Sequence, residues 1–179
     1  RAYGRALGEE ARYRGKDMIL GPGVNILRTP LGGRNFEYMG EDPYLTSRMV
    51  VPYVQGLQSN GVAACVKHFA MNNDEEYRHQ GNVTVDDRAL YEIYLPAFKA
   101  AVTEGHAWGL MGAYNLYKNQ HNCHNRYLLC DILKGEWGFD GVVVSDWGGA
   151  HDTRQAVENG LDMEFGTWTD GLSFGTSNA

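Results

Sequence analysis

Short apolar runs alternate along the chain with longer segments whose apolar residues recur at helical spacing. The runs are rich in valine and small residues and lack polar alternation, which is typical of strands buried on both faces. They predict strands at 19–27, 62–66, 108–114, 142–144 and 161–165. The helical spacing predicts helices at 1–18, 43–60, 86–101, 127–136 and 151–159, with a break at Pro96.

This alternation of helix and strand predicts a parallel sheet covered by helices. A doubly wound open sheet and a (β/α)8 TIM-type barrel both fit. No glycine-rich phosphate-binding motif follows any strand, which weakens the nucleotide-binding open sheets, and the long polar loops 28–43 and 71–85 favour a barrel. A complete barrel needs about 250 residues. We therefore expect an α/β fold in which residues 1–179 form part of a (β/α)8 barrel domain, with only about five βα units present.

The formal net charge of −6 argues against nucleic acid or an anionic membrane as the main partner, because both require a basic surface. No apolar run approaches the roughly 18 residues of a membrane-spanning helix. Three cysteines do not suggest a disulfide framework, and the loop 121–124 (His-Asn-Cys-His) has no second ligand cluster to complete a zinc site. We expect no metal and no cofactor, and the sequence does not indicate a cellular compartment.

Chemically versatile side chains stand at or after the ends of four consecutive predicted strands. They are Arg34 with Glu37, Lys67 with His68, Tyr114, and Asp146 with Trp147. Because the carboxyl ends of barrel strands meet at one mouth, these side chains are expected to converge. Each also has an ordinary explanation when taken alone: Asp146 could cap the following helix, and Arg34 could pair with Glu41 on the surface.

Such a cluster would surround a carboxylate with cations, hydrogen-bond donors and an aromatic face. We expect the pKa of Asp146 to be lowered by the neighbouring Arg34 and Lys67, which would keep it ionised as a nucleophile or electrostatic stabiliser. Donors around a flat indole suit a sugar ring, which carries hydroxyl groups at its edge and C–H groups on its faces. The pattern therefore indicates glycoside chemistry.

Four motifs, in this order, resemble the N-terminal barrel domain of family 3 glycoside hydrolases, the family of many β-glucosidases. The resemblance runs from about residue 1 to Gly166 and is carried by Gly21-Pro22-Gly23-Val24-Asn25-Ile26, Gly33-Arg34-Asn35-Phe36-Glu37 with Gly40-Glu41-Asp42-Pro43, Lys67-His68-Phe69, and Val144-Ser145-Asp146-Trp147. It implies a retaining hydrolase that releases a non-reducing terminal β-linked sugar from a β-glucoside or oligosaccharide.

The resemblance also implies roles for individual residues. Asp146 matches the catalytic nucleophile, the glycone hydroxyls are held by Arg34, Lys67 and His68, and Tyr114 and Trp147 line the site. The acid/base residue is expected in a C-terminal domain outside this chain, so the isolated chain is expected to be inactive. Residues 67–76 lack the proline and second histidine of the N-acetylglucosaminidase branch, which favours a β-glucosidase-like or β-xylosidase-like activity.

Two other interpretations fit the same residues. Lys67 at a strand end could form a Schiff base, as in barrel aldolases. Alternatively, the chain could belong to a carbohydrate-binding protein without turnover.

Overall fold

The apolar runs form the centre of the fold in the computed structural model, which describes residues 1–166. Seven strands are present in this part of the chain: β1 (Met18–Ile19), β2 (Ala63–Phe69), β3 (Asn82–Val83), β4 (Gly109–Gly112), β5 (Leu116–Tyr117), β6 (Gln120–His121) and β7 (Val142–Val144). Strands β1, β2, β4 and β7 pair in that order, and every pair is parallel. The predicted parallel sheet is confirmed.

Helices precede, separate and follow the parallel strands along the chain. They are α1 (Ala2–Tyr13), α2 (Pro43–Gln58), α3 (Asp87–Ala89), α4 (Pro96–Thr103) and α5 (Thr153–Glu158), with π-helices at Leu90–Tyr94 and Tyr127–Glu136 and 3-10 turns at Asn35–Glu37 and Asn122–His124. An aspartate caps α2, α3 and α5; for α5 the cap is Asp152, whose carboxylate accepts from the Gln155 N–H at 2.9 Å. Asp146 is therefore not needed as a cap.

Several boundaries differ from the sequence prediction. The strand predicted at 19–27 is reduced to β1, and Gly23 then makes single parallel bridges to Tyr38 and Lys67. The strand predicted at 161–165 is one bridge between Met163 and Val144. The loop predicted after Leu116 contains the β5–β6 hairpin, which forms a second, three-stranded sheet with β3. The predicted domain span also includes 167–179, which lie outside the described residues.

The two faces of the parallel sheet bury different sets of side chains. Cys65, Met111 and Val144 form a small cluster on one face, while their neighbours Val66, Leu110 and Val143 belong to the larger core that includes the helices. Neighbouring strand residues point to opposite faces, so a strand buried on both sides must be apolar throughout. Burial on both faces therefore explains why polar and apolar residues do not alternate along these strands.

Helices α1 and α2 approach each other closely because glycines line their contact. A Cβ atom added to Gly8 would lie 2.6 Å from the Leu57 carbonyl oxygen. We expect Gly8→Ala in the full-length protein to lower the free energy of unfolding by about 1–2 kcal/mol, because the clash with rigid backbone exceeds the gain of about 1 kcal/mol in helix propensity. A shift of the thermal unfolding midpoint measures this effect. The exposed Ala6→Ser change on the same helix should shift the midpoint little; equal midpoints for the two variants would contradict the close packing.

Candidate active site

Asp146 lies directly after β7 and is buried, with 7% of its surface exposed. One carboxylate oxygen, Oδ1, accepts a hydrogen bond from the Trp147 N–H at 2.8 Å. The other, Oδ2, has no hydrogen-bond partner within residues 1–166, although it lies 3.5 Å from His68 Nε2 and 3.8 Å from Arg34 Nη1. One oxygen is thus held by the backbone, and the other faces two potential donors.

His68 reaches this carboxylate from the end of β2, where the pairing with β4 is irregular. Val66 pairs with Leu110 and Phe69 with Gly112, so three steps along β2 match two along β4. A bulge of this kind changes the direction in which side chains point, so the consecutive residues Lys67 and His68 can both reach the same site. Asn25 holds the His68 backbone with two hydrogen bonds, accepting from its N–H at 2.9 Å and donating to its carbonyl at 3.0 Å.

Burial keeps His68 neutral. Burial lowers its pKa to about 2, and the cations of Arg34, Lys67 and Arg78 act in the same direction. The side chain is 1% exposed. His68 therefore meets Asp146 as an uncharged imidazole at any pH near neutrality.

Lys67 does not contact Asp146; it pairs with Glu37. Its ammonium lies 2.9 Å from Glu37 Oε2, and Arg34 Nε donates to the other oxygen, Oε1. Burial alone would raise the pKa of Glu37, but the hydrogen bonds from Arg34 and Lys67 outweigh it and lower the pKa. Glu37 thus joins two of the predicted site cations into one ion-paired group.

The pKa of Asp146 corrects a sequence-based expectation. We expected neighbouring cations to lower it, but it is raised above its ordinary value of 3.8 because burial outweighs the favourable contacts with Trp147, Tyr114, Arg34 and Arg78. The Arg34 guanidinium forms its shortest ion pair with Glu37, and the Lys67 ammonium is directed to the same carboxylate. Desolvation of a carboxylate is invisible in a sequence pattern.

Tyr114 completes the same site from the segment after β4 and is almost fully buried. The Arg78 guanidinium lies 4.4 Å from the centre of its ring, and the centroid of the His79 ring lies 4.4 Å from the same point. Burial and the Asp146 charge raise the pKa of the Tyr114 hydroxyl. The Tyr114 hydroxyl therefore keeps its proton and can donate a hydrogen bond.

Trp147 stands at the open side of the cluster with 39% of its surface exposed. Its indole packs against Phe165 with the ring centroids 5.1 Å apart. An exposed aromatic face beside a buried carboxylate suits contact with a ligand ring.

Several residues of this network were missed from the sequence. Arg78 pairs with Glu75 at 2.6 Å, and Tyr38 contacts the His68 ring. Glu75 and Arg78 lie in the polar loop after β2, whose length was the one available signal, and Tyr38 follows the recognised motif by a single residue. Their three-dimensional neighbours could not be read from local patterns.

Comparison with known proteins places the chain in a family. The family description "Glycosyl hydrolase family 3 N terminal domain" matches residues 1–167. The chain belongs to glycosyl hydrolase family 3. Two curated relatives are β-glucosidase BoGH3A of Bacteroides ovatus, 66% identical over 96% of this chain and 23% of the relative, and an exo-α-(1→6)-L-arabinopyranosidase of Bifidobacterium longum, 47% identical over 90% and 21%.

Solved structures of the family share the fold. β-Glucosidase 3B from Thermotoga neapolitana in complex with α-D-glucose superposes with a TM-score of 0.89 at 44% identity, covering 91% of this chain and 23% of that structure. The predicted α/β fold of the TIM-barrel type is thereby confirmed. This family 3 chain spans about a quarter of the length of the relatives it matches.

Within residues 1–166, no group of three or more histidine, cysteine or acidic side chains is arranged to hold a metal ion. His121 of the predicted polar loop stacks instead on His151, with ring centroids 3.8 Å apart. None of the described helices is long and apolar enough to cross a membrane.

Proposed function

We propose that the protein containing this chain is a retaining β-glucosidase that releases a non-reducing terminal β-linked glucose through a covalent intermediate on Asp146. The observation that carries this proposal is the asymmetric Asp146 carboxylate. Its Oδ1 is held by the Trp147 N–H, while Oδ2 has no hydrogen-bond partner among the described residues and faces Arg34 and His68. A nucleophilic oxygen must be held in a fixed position and must keep a lone pair free to attack.

In the first step, Asp146 Oδ2 bonds to the anomeric carbon while the bond from that carbon to the glycosidic oxygen breaks. A second carboxylic acid gives its proton to the departing oxygen. In the second step, the same group takes a proton from water, the water oxygen bonds to the anomeric carbon, and the bond to Asp146 breaks. The double displacement retains the anomeric configuration and regenerates both carboxyl groups.

The surrounding side chains suit the glycone. Arg34, Lys67 and His68 supply hydrogen-bond donors for sugar hydroxyls, and Tyr114 and Trp147 line the site with aromatic surface. Because the Bifidobacterium longum relative is named for an arabinopyranoside, the glycone itself needs direct measurement. The 66% identity to a named β-glucosidase favours glucose.

The acid/base carboxyl is proposed to come from a C-terminal domain outside this chain. Glu37 and Glu75, the two glutamates in the described network, are paired with cations: Glu37 with Arg34 and Lys67, and Glu75 with Arg78. A general acid must hold a proton near neutral pH, whereas the hydrogen bonds from Arg34 and Lys67 lower the pKa of Glu37. Both oxygens of Glu75 are occupied as acceptors, by Asn72 and by Arg78. The chain on its own would therefore bind part of the glycone without turning it over.

The ion pair between Lys67 and Glu37 speaks against the aldolase alternative. A lysine forms a Schiff base by presenting its Nζ to a carbonyl carbon, whereas Lys67 Nζ is directed to Glu37 Oε2 at 2.9 Å. Membership of glycosyl hydrolase family 3 gives that alternative no support.

A 2-deoxy-2-fluoro-β-glucoside with a good leaving group tests the proposed function in the full-length protein. Fluorine slows both the formation and the hydrolysis of the glycosyl-enzyme, and the good leaving group restores the rate of its formation. The glycosyl-enzyme therefore accumulates. Mass spectrometry of the digested protein should show one added fluoroglucosyl group on the peptide that contains Asp146, and Asp146→Asn should remain unlabelled. Labelling of another carboxylate would reassign the nucleophile. Binding of glucose without labelling or hydrolysis would instead support the non-catalytic carbohydrate-binding alternative.

A further inference from the structure

We propose that Tyr38 is a positioning residue that holds His68 in the tautomer with its proton on Nε2, the nitrogen that faces Asp146. The inference rests on the proposed function, because it assigns His68 a fixed donor role in that site. It is carried by the contacts of both ring nitrogens and by the direction of the hydrogen bonds that lead to them.

Both nitrogens of the buried His68 ring have defined neighbours. The Tyr38 hydroxyl lies 3.0 Å from Nδ1, and Asp146 Oδ2 lies 3.5 Å from Nε2. A neutral imidazole carries one N–H and one bare nitrogen, so only one side of the ring donates. An ionised carboxylate only accepts, which favours the proton on Nε2 and leaves Nδ1 to accept from Tyr38.

The hydrogen bonds on the far side of Tyr38 point the same way. Asn72 Nδ2 donates to Glu75 Oε1 at 3.1 Å and to the Tyr38 hydroxyl oxygen at 3.5 Å. Glu75, paired with Arg78, accepts only, so it orients the Asn72 amide with its nitrogen towards Tyr38. The Tyr38 oxygen then accepts from Asn72, and its own proton is free for His68 Nδ1.

The location of His68 does not depend on this contact. Asn25 fixes the His68 backbone through two buried hydrogen bonds, and Tyr38 is placed independently by its bridge to Gly23. A Cβ atom on Gly23 would lie 2.8 Å from the Tyr38 ring, so the missing side chain makes room for that ring. The Tyr38 hydroxyl therefore selects the position of the ring proton, while Asn25 fixes the His68 backbone.

The function of this arrangement is to keep a donor aimed into the site. With its proton on Nε2, His68 directs an N–H towards Asp146 Oδ2, 3.5 Å away, in the free protein and can donate it to a sugar hydroxyl in the complex. With its proton on Nδ1, it would present a lone pair to the carboxylate and to acceptor oxygens of the ligand. Without the Tyr38 hydroxyl, the Nδ1 tautomer gains population.

The test compares the full-length protein with Tyr38→Phe, which keeps the ring and removes the hydroxyl. The protein is labelled with 15N-histidine, the His68 signals are assigned by their loss in His68→Gln, and spectra are recorded without substrate. We expect wild-type His68 to carry its proton on Nε2 and the variant to shift towards Nδ1. Tyr53→Phe, a half-buried tyrosine on α2, is the matched control and should leave the His68 signals and kcat/KM unchanged.

Kinetics provide the second readout. Tyr38→Phe should lower kcat/KM by about tenfold, the value of one hydrogen bond lost in the site. In the His68→Gln background the same change should have little effect, because an amide nitrogen carries its protons without tautomer selection. An Nδ1 proton in the wild type, or an unchanged tautomer in Tyr38→Phe, would overturn the inference. Neither result bears on the labelling of Asp146, so the proposed function stands or falls separately.

Discussion

Asp146→Asn in the full-length protein is expected to reduce β-glucoside hydrolysis by a factor on the order of 10⁴ or more while leaving the protein as stable as before or more stable. Loss of activity follows from loss of the proposed nucleophile, because an amide does not form the proposed glycosyl-enzyme. Steady-state kcat/KM with an aryl β-glucoside measures it. Asp152→Asn, which replaces one good helix cap by another on α5, is the matched control and should retain activity.

The expected stability follows from the raised pKa of Asp146. Burial raises the pKa in the folded state, so folding opposes ionisation of this carboxyl. The stabilisation associated with the protonated form is present at low pH and is lost as the pH rises through the raised pKa. At neutral pH the folded wild-type protein therefore contains a costly carboxylate, which the Asp146→Asn substitution replaces by a neutral amide. A lower thermal midpoint for this variant at pH 7 would contradict the cost assigned to Asp146.

Glu37→Gln is expected to have the second largest effect, acting on both stability and activity. Glu37 bridges Arg34 and Lys67, and the three side chains are only 15–21% exposed. Removing its charge leaves two partly buried cations without a counter-charge, which should lower the free energy of unfolding by about 1–3 kcal/mol. Loss of the orientation of Arg34 and Lys67 should also lower kcat/KM by about 10- to 100-fold.

The matched control is Glu9→Gln, which breaks the exposed pair with Arg5 on α1 and should cost less than about 0.5 kcal/mol. A pH series separates the two variants further. Burial raises the pKa of Glu37, but its cationic partners lower it more, so its net stabilisation is present at neutral pH and disappears as the pH falls through the lowered pKa. The difference in thermal midpoint between wild type and Glu37→Gln should shrink in acid. A difference that does not change with pH would show that packing, and not charge, is the cause.

The site shows how far the motif residues could be assigned before the fold was known. The structure brings four of these side chains together, because the carboxyl ends of parallel strands share one edge of the sheet. They are Arg34, His68, Tyr114 and Asp146. Lys67 reaches the same edge but turns to Glu37. Its partner depends on which acid another loop brings within reach, and strand-end position alone does not specify that.

The helical prediction at 127–136 shows a similar limit at the level of secondary structure. Its apolar spacing correctly indicated a helix packed on the core, yet the backbone is a π-helix, with the Trp137 N–H donating to the Ile132 carbonyl at 3.0 Å. Ten residues contain too few turns for apolar spacing to distinguish the two helix types. Pro96, in contrast, marks the predicted break, at the junction between a π-helix and α4.

Local periodicity and short motifs were enough to predict the alternation of helices and strands, the parallel sheet and the polar residues that follow its strands. The pairing of carboxylates with cations, the raised pKa of Asp146 and the contact between Tyr38 and His68 become visible only in the folded chain. Those properties arise from desolvation and from through-space contacts between distant segments, and neither is encoded in the spacing of residues along one segment.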